Sequence, residues 1–188
     1  MSEFVVITRP LAQAGALAQR VTAIGRKAVV FPLLEILPLD DQEALRAALR
    51  ELDRYALIAF VSPNAIDAAF AARPDWPWHI PLAVVGEGSR MALLRHGASK
   101  ANATIVSPTD LERTDSETLL AELDLPALRG KQVLIIRGET GRELLGDTLR
   151  AAGIGVTPLA AYRRVAPEWN SARPVSYTHL TLPTILLV

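Results

Sequence analysis

Short apolar runs alternate along this chain with stretches in which apolar residues recur every three or four positions. Phe4 to Thr8 is the first run, and Pro10 stands where the first turn of a helix tolerates it. Ala14, Leu17, Ala18, Val21 and Ile24 then follow at helical spacing until Gly25 supplies a stop. Ala28 to Phe31 is a second run, ended by Pro32, and Leu33 to Leu39 with its further proline reads as an extended connector. Asp40-Asp41-Gln42-Glu43 has the pattern of a capping box, after which Leu45, Ala48, Leu49 and Leu52 lie on one helix face. Leu57 to Val61 reads as a buried strand, and Ser62-Pro63 opens a helix carrying Ile66, Ala69 and Phe70. Arg73 to Pro81 is a proline-rich loop whose two tryptophans should pack it down. Leu82 to Val85 runs into Gly86-Glu87-Gly88-Ser89, Met91 to Arg95 is helical as far as Gly97, and Thr104 to Val106 is a strand. Thr114-Asp115-Ser116-Glu117 predicts a further capping box, and Val156 to Tyr162 the last strand.

Strands and helices alternate throughout with short connections, which predicts parallel sheets flanked by helices. Such sheets take ligands beyond the carboxyl ends of their strands. The informative residues are therefore Thr8-Arg9, Ser62-Pro63-Asn64, Gly86 to Ser89 and Arg137 to Arg142.

Lys131 to Gly153 concentrates these signals. An uncharged run, Gln132 to Ile136, ends in Arg137-Gly138, and Thr140-Gly141-Arg142-Glu143 predicts a capped helix start, so that two arginines meet a helix N-terminus where an anion is favoured. Sliding this stretch back by 128 positions lays it without gaps on Val5 to Gly25, with Arg137 on Arg9, Leu145 on Leu17, Ala151 on Ala23 and Gly153 on Gly25. Two readings stay open: an internal duplication, and the general likeness of strand-loop-helix units.

Composition narrows the function classes. Twenty basic and twenty acidic residues cancel, which removes the broad field of a general nucleic-acid binder. Arg far outnumbers Lys, which suits carboxylate and phosphate forks as well as a simple compositional bias. Cysteine is absent, so thiolate and disulfide chemistry is excluded. The start lacks a basic segment followed by an apolar one, and the cytoplasm is the expected compartment, with no membrane partner.

Candidate chemistry is sparse. The three histidines, His79, His96 and His179, have no metal-ligand spacing, so no metal site is expected. Ser62 lacks the glycines of a nucleophile elbow and is first an N-cap. Gly86-Glu87-Gly88 lacks the third glycine of a dinucleotide fingerprint and reads as a turn, anion-accepting or not. Tyr162, followed by Arg163-Arg164, carries the one hydroxyl placed as a weak acid, although the simpler reading of a tyrosine late in a strand is that it caps the core.

The succession VVITRP, FPLLEI, IAFVSPNAI, AVVGEGS, SETLL, VLIIRGETGRELLGDTLRAAG and VTPLAAYRR resembles bacterial uroporphyrinogen-III synthase in order and spacing from Phe4 to about Arg164. The resemblance implies two α/β lobes, each a parallel sheet flanked by helices, joined by two extended connectors. Residues 1–34 would begin the first lobe, 35–162 form the second, and 163–174 start the return to the first. It also implies cyclisation of hydroxymethylbilane with inversion of its last ring, without a cofactor, with hydroxymethylbilane synthase as a candidate upstream donor. Carried over by position, Tyr162 hydrogen-bonds the departing hydroxyl; Arg9, Ser62, Asn64, Gly86, Ser89, Arg137, Gly138 and Arg142 contact substrate, the arginines through its acetate and propionate groups. A non-catalytic binding module of the same fold and an unrelated nucleotide binder using Gly86 to Ser89 are the alternative readings.

Val175 to Val188 carries no charge and resembles a translated sequencing adapter, so residues 175–188 are expected to be a non-native tail. On that expectation the first lobe is incomplete and this chain is an inactive fragment.

Overall fold

The computed structural model describes residues 4–109 and 115–168. The chain divides into two compact units, one holding Met1–Glu35 with the chain from Val165 onward, the other Ile36–Arg164. The expected tail and His179 lie outside the described residues.

In the first unit, β1 (Phe4–Ile7) pairs in parallel with β2 (Lys27–Val30), and α1 (Leu11–Ala23) connects them. The helix lays Ala14 and Val21 against Ile7, with Leu17, Ala18, Ala28 and Val30 around them. Among the described residues of this unit, two strands and one helix bury little: Phe4, Val5, Leu11, Ile24 and Leu33 stay exposed. Gly25 closes α1 at φ 76°, with Arg26 N–H donating to the Val21 carbonyl at 3.2 Å. That bond and the left-handed glycine make a Schellman closure.

The second unit is built on one sheet. In chain order it holds β3 (Glu35–Pro38), α2 (Glu43–Arg50), β4 (Leu57–Phe60), α3 (Pro63–Ala72), β5 (Leu82–Val84), α4 (Glu87–Arg95) and β6 (Ile105–Val106). There follow α5 (Ser116–Glu122), α6 (Leu125–Leu128), β7 (Gln132–Gly138), α7 (Leu144–Ala151) and β8 (Gly155–Val165). The strand order is β3-β8-β7-β4-β5-β6, and the pairs β8-β7, β7-β4, β4-β5 and β5-β6 are parallel.

Alternation along the strands sorts the core into two layers. Ile58, Phe60, Leu82, Val84, Leu134 and Ile136 pack with residues of α2, α3 and α4. Leu57, Ala59, Ala83, Val133 and Ile135 pack with Leu119 of α5 and Leu145 and Leu149 of α7. These strands are buried on both faces, which is why they read as unbroken apolar runs. The chain leaves β4 through α3 on one face and leaves β7 through α7 on the other. The two neighbouring strands thus form the point where strand order reverses.

Several expectations shift. The connector at 33–39 becomes partly a strand: Glu35–Pro38 is β3, the sheet edge beside β8, with Pro38 at its end where a missing N–H is tolerated. The capping box at Asp40 does not form. Gln42 is the N-cap of α2, Asp41 accepts from Glu43 N–H at 2.8 Å, and Asp40 accepts from Arg163 at 2.8 Å instead. The box predicted from Thr114 stands one residue later: Asp115 accepts from Thr118 N–H at 2.8 Å while the Thr118 hydroxyl accepts from Asp115 N–H at 3.3 Å, and Thr114 lies outside the described residues. The tryptophan loop packs as expected, with Trp76 stacked 4.5 Å from the Phe70 ring. His96 donates from Nε2 to the Asp67 carboxylate at 2.8 Å and stacks on Phe70, joining α4 to α3.

Candidate functional site

The second unit carries three adjoining depressions, the first and third of them at the carboxyl ends of β4, β5 and β7. The first, about 440 Å³, lies between Val61, Val85, the loop Arg137 to Glu143, Arg150, Tyr162 and Arg164. A second, about 350 Å³, lies among β3, α2 and α3 and includes Asn64 and Tyr162. The third, about 280 Å³, holds Ser62, Gly86 and Ser89 and shares Val61 and Val85 with the first. Ser62, Asn64, Gly86, Ser89, Arg137, Gly138, Arg142 and Tyr162 therefore meet at one end of one sheet. Arg9 follows β1 in the first unit, where it is exposed.

Tyr162 is the shared wall of the first two depressions. Its placement depends on a bulge in β8: Arg137 pairs with Ala160 but Gly138 with Tyr162, so Ala161 is the extra residue. In an unbroken strand, neighbours point to opposite faces. Here Ala161 and Tyr162 both join the α2-α3-α4 layer, because the bulge re-aims the strand. Gly138 makes room for the ring: a Cβ there would stand 3.0 Å from Cζ and 3.2 Å from Oη of Tyr162.

The phenol is 2% exposed and its oxygen has two partners. Its Oη lies 3.0 Å from Ser62 Oγ and accepts from Nη2 of Arg164 at 2.9 Å, while that guanidinium also stands 5.6 Å from the ring centre. Ser62 caps α3 as expected, its Oγ accepting from Ala65 N–H at 3.2 Å. Each hydroxyl thus accepts one bond from a fixed donor. One proton bridges the two oxygens, and the other stays available to a ligand. Arg164 was legible in the sequence only as the second residue of a basic pair; its approach to Tyr162 follows from the i, i+2 alternation beyond the bulge.

The loop after β7 departs from expectation. No capping box forms at Thr140 to Glu143: α7 begins at Leu144, with Glu143 as an N-cap whose side chain makes no cap bond. The Glu143 carboxylate instead accepts from Nη1 of Arg137 at 2.7 Å. Arg137, its side chain 14% exposed, also donates to the carbonyls of Gly138 and Arg142, and so braces the loop. An ion pair with a largely buried guanidinium outcompetes a solvent-facing cap bond. Arg142 is exposed on the cavity wall.

At the start of α4, Gly86 is extended at φ 178°, and the buried Ser89 donates its N–H to the Gly86 carbonyl at 3.0 Å. Glu87 takes two 2.7 Å bonds from Arg90, and hydrogen bonding by that guanidinium holds its carboxyl below the usual range. The acid is thus turned along its own helix.

Among the described residues no group of three or more His, Cys, Asp or Glu could hold a metal ion, and no helix is long and apolar enough to cross a membrane.

Comparison with known proteins gives a consistent result. The family model for uroporphyrinogen-III synthase HemD matches residues 15–176. The uroporphyrinogen-III synthase of Salmonella typhimurium (strain LT2) is 33% identical over 186 residues, 98% of this chain and 74% of that protein. That of Escherichia coli (strain K12) is 33% identical over 174 residues, 89% of this chain and 68% of that protein. A solved structure of a mutant uroporphyrinogen III synthase from the extremely thermophilic bacterium Thermus thermophilus matches with a TM-score of 0.59 at 16% identity, covering 88% of this chain and 64% of that one. The uroporphyrinogen-III synthetase from Helicobacter pylori 26695 matches with a TM-score of 0.54 at 18% identity, covering 92% and 66%. These two structures bear on the fold, and this chain spans about two thirds of their length.

Proposed function

The chain belongs to the uroporphyrinogen-III synthase family, and from that premise we propose that the whole protein closes the linear tetrapyrrole hydroxymethylbilane, inverting its last ring, as a cyclising hydro-lyase of tetrapyrrole biosynthesis. The observation that carries this reading is the Tyr162 hydroxyl, held by Ser62 and Arg164 where strand order reverses.

Tyr162 gives its proton to the departing hydroxyl, which leaves as water while the pyrrole nitrogen supplies electrons to the azafulvene. Arg164 and Ser62 then both donate to the phenolate oxygen, so charge develops where two donors already point. The substituted carbon of the terminal pyrrole attacks to form the spiro centre, which fragments and recloses through the unsubstituted carbon. The proton released in that last step returns to Tyr162. Arg142 takes substrate acetate or propionate groups, as does Arg137 once its carboxylate partner gives way; Gly138 borders the same depression, Asn64 the second, and Ser62, Gly86 and Ser89 the third.

Orientation matters more than acid strength, because the free substrate closes unaided to the type I isomer; the enzyme must hold the geometry that favours the other carbon. Rapid handover from hydroxymethylbilane synthase is the matching upstream arrangement. The second unit is one lobe, and the first unit is the beginning of the other, a reading supported by its exposed Phe4, Val5, Leu11, Ile24 and Leu33.

The test is incubation of freshly made hydroxymethylbilane with this chain and with a version extended to the length of the family's solved structures, followed by separation of the isomers. Type III product from the extended version and type I alone from the 188-residue chain is the expected result. Type I alone from both overturns the assignment.

A further inference from the structure

Resting on the reading of Arg137 as a carboxylate acceptor, we propose that Glu143 is a built-in substitute for a substrate carboxylate: it fills the Arg137 site in the unliganded protein, and a ligand carboxylate displaces it into a capping box that adds a turn to the start of α7.

Two independent observations lead there. The first is a pattern left unused. Thr140-Gly141-Arg142-Glu143 has the sequence of a capping box, yet α7 starts only at Leu144 because Glu143 is taken by Arg137 at 2.7 Å. The second comes from the matching unit of the same chain. Under the 128-residue slide the helix ends coincide: α1 ends at Ala23 and α7 at Ala151, Gly25 and Gly153 have φ 76° and 79°, and Ile154 N–H bonds to the Leu149 carbonyl as Arg26 N–H does to that of Val21. The helix starts do not coincide. Leu11, where α1 begins, falls on Glu139, whereas α7 begins at Leu144. The residues missing from α7 are those spanned by the Arg137–Glu143 ion pair.

Glu143 therefore has two competing partners, the Arg137 guanidinium and the N–H groups at a longer helix start. A carboxylate entering the cavity offers Arg137 an equal partner and frees Glu143 for the other. The geometry suits an incoming acid. Arg137 forms the wall, Nη2 of its guanidinium makes no bond to a described residue, and exposed Arg142 stands on the same loop. A ligand without carboxylates gains nothing by the exchange. The pair thus makes this wall selective for an acidic tetrapyrrole.

The experiment measures binding of a linear tetrapyrrole that carries the acetate and propionate groups but no hydroxymethyl group, by tryptophan fluorescence, to the 188-residue chain. Hydrogen exchange of the amides at 140–144 is followed in parallel. Glu143→Gln keeps a residue able to complete the capping box but removes the competing charge. It should bind a few-fold to about tenfold more tightly, the scale of one partly exposed ion pair, and protect those amides even without ligand. Arg137→Gln should bind several-fold more weakly, and ligand should protect the same amides in the unsubstituted protein. If Arg137→Gln weakens binding but Glu143→Gln does not tighten it, the exchange is wrong and the carboxylate site stands. If Arg137→Gln binds as well as the unsubstituted protein, or no variant binds, the site reading fails and takes this inference with it.

Discussion

The phenol of Tyr162 stands between two donors, and what each contributes is separable by substitution. Tyr162→Phe keeps the ring and removes the oxygen, leaving Ser62 and Arg164 to find other partners. A loss of about 1–2 kcal/mol in the urea unfolding of the second unit is expected from the missing hydrogen bonds. Arg164→Gln should cost less, because this arginine is exposed. The two changes should be strongly non-additive, since both remove the same bond. In an active, extended protein each should lower the rate of type III formation, and the double substitution should be no slower than Tyr162→Phe alone. Additive losses would mean that Arg164 does not act through Tyr162. The sequence singled out Tyr162 and Ser62 but not their 3.0 Å contact, since they lie a hundred residues apart in the chain.

The bulge in β8 and the glycine beside it are a single device at the level of the element. Regular pairing would turn Tyr162 away from Ala161; the extra residue keeps both on one face, and Gly138 leaves space for the ring. Gly138→Ala should press a methyl group on the phenol and cost about 1–3 kcal/mol, as overpacking does. Thermal unfolding of the variant, together with the ring resonances of Tyr162, checks this: an unmoved ring would show that the space is not needed. Helix ends were legible where one residue type enforces them, as Gly25 and Gly153 do through positive φ. Helix starts were less so, although Ser62 does cap α3. Asp40, Thr114 and Thr140 each matched a local capping pattern, but at Asp40 and Thr140 acidic residues of the pattern paired with arginines, Asp40 with Arg163 and Glu143 with Arg137.

Across the whole molecule the two units differ in how much they bury. The sheet of the second unit has apolar layers on both faces, whereas among the described residues the much shorter first unit leaves Phe4, Val5, Leu11, Ile24 and Leu33 exposed. A two-stranded sheet with one helix is marginal by itself. Residues 36–164 made alone should therefore unfold in a single cooperative transition, with amides of β4 and β7 as slow to exchange as in the longer chain. Amides of β1 and β2 should exchange faster than these by orders of magnitude in the 188-residue chain. Loss of the cooperative transition in residues 36–164 would show that the unit does not stand alone.

By itself the sequence determined the alternation of strands and helices, the strands buried on both faces and the post-strand positions of the site residues. All of these follow from local periodicity and from the few conformations open to glycine and proline. Only the tertiary structure decided that β3 is a strand, that Ala161 is a bulge, that Arg164 meets Tyr162, and that Glu143 serves Arg137 rather than α7. Each of these is a competition between a local partner and a distant or lateral one. Its outcome depends on which groups the packed sheet has already brought within reach, and no local pattern encodes that distance.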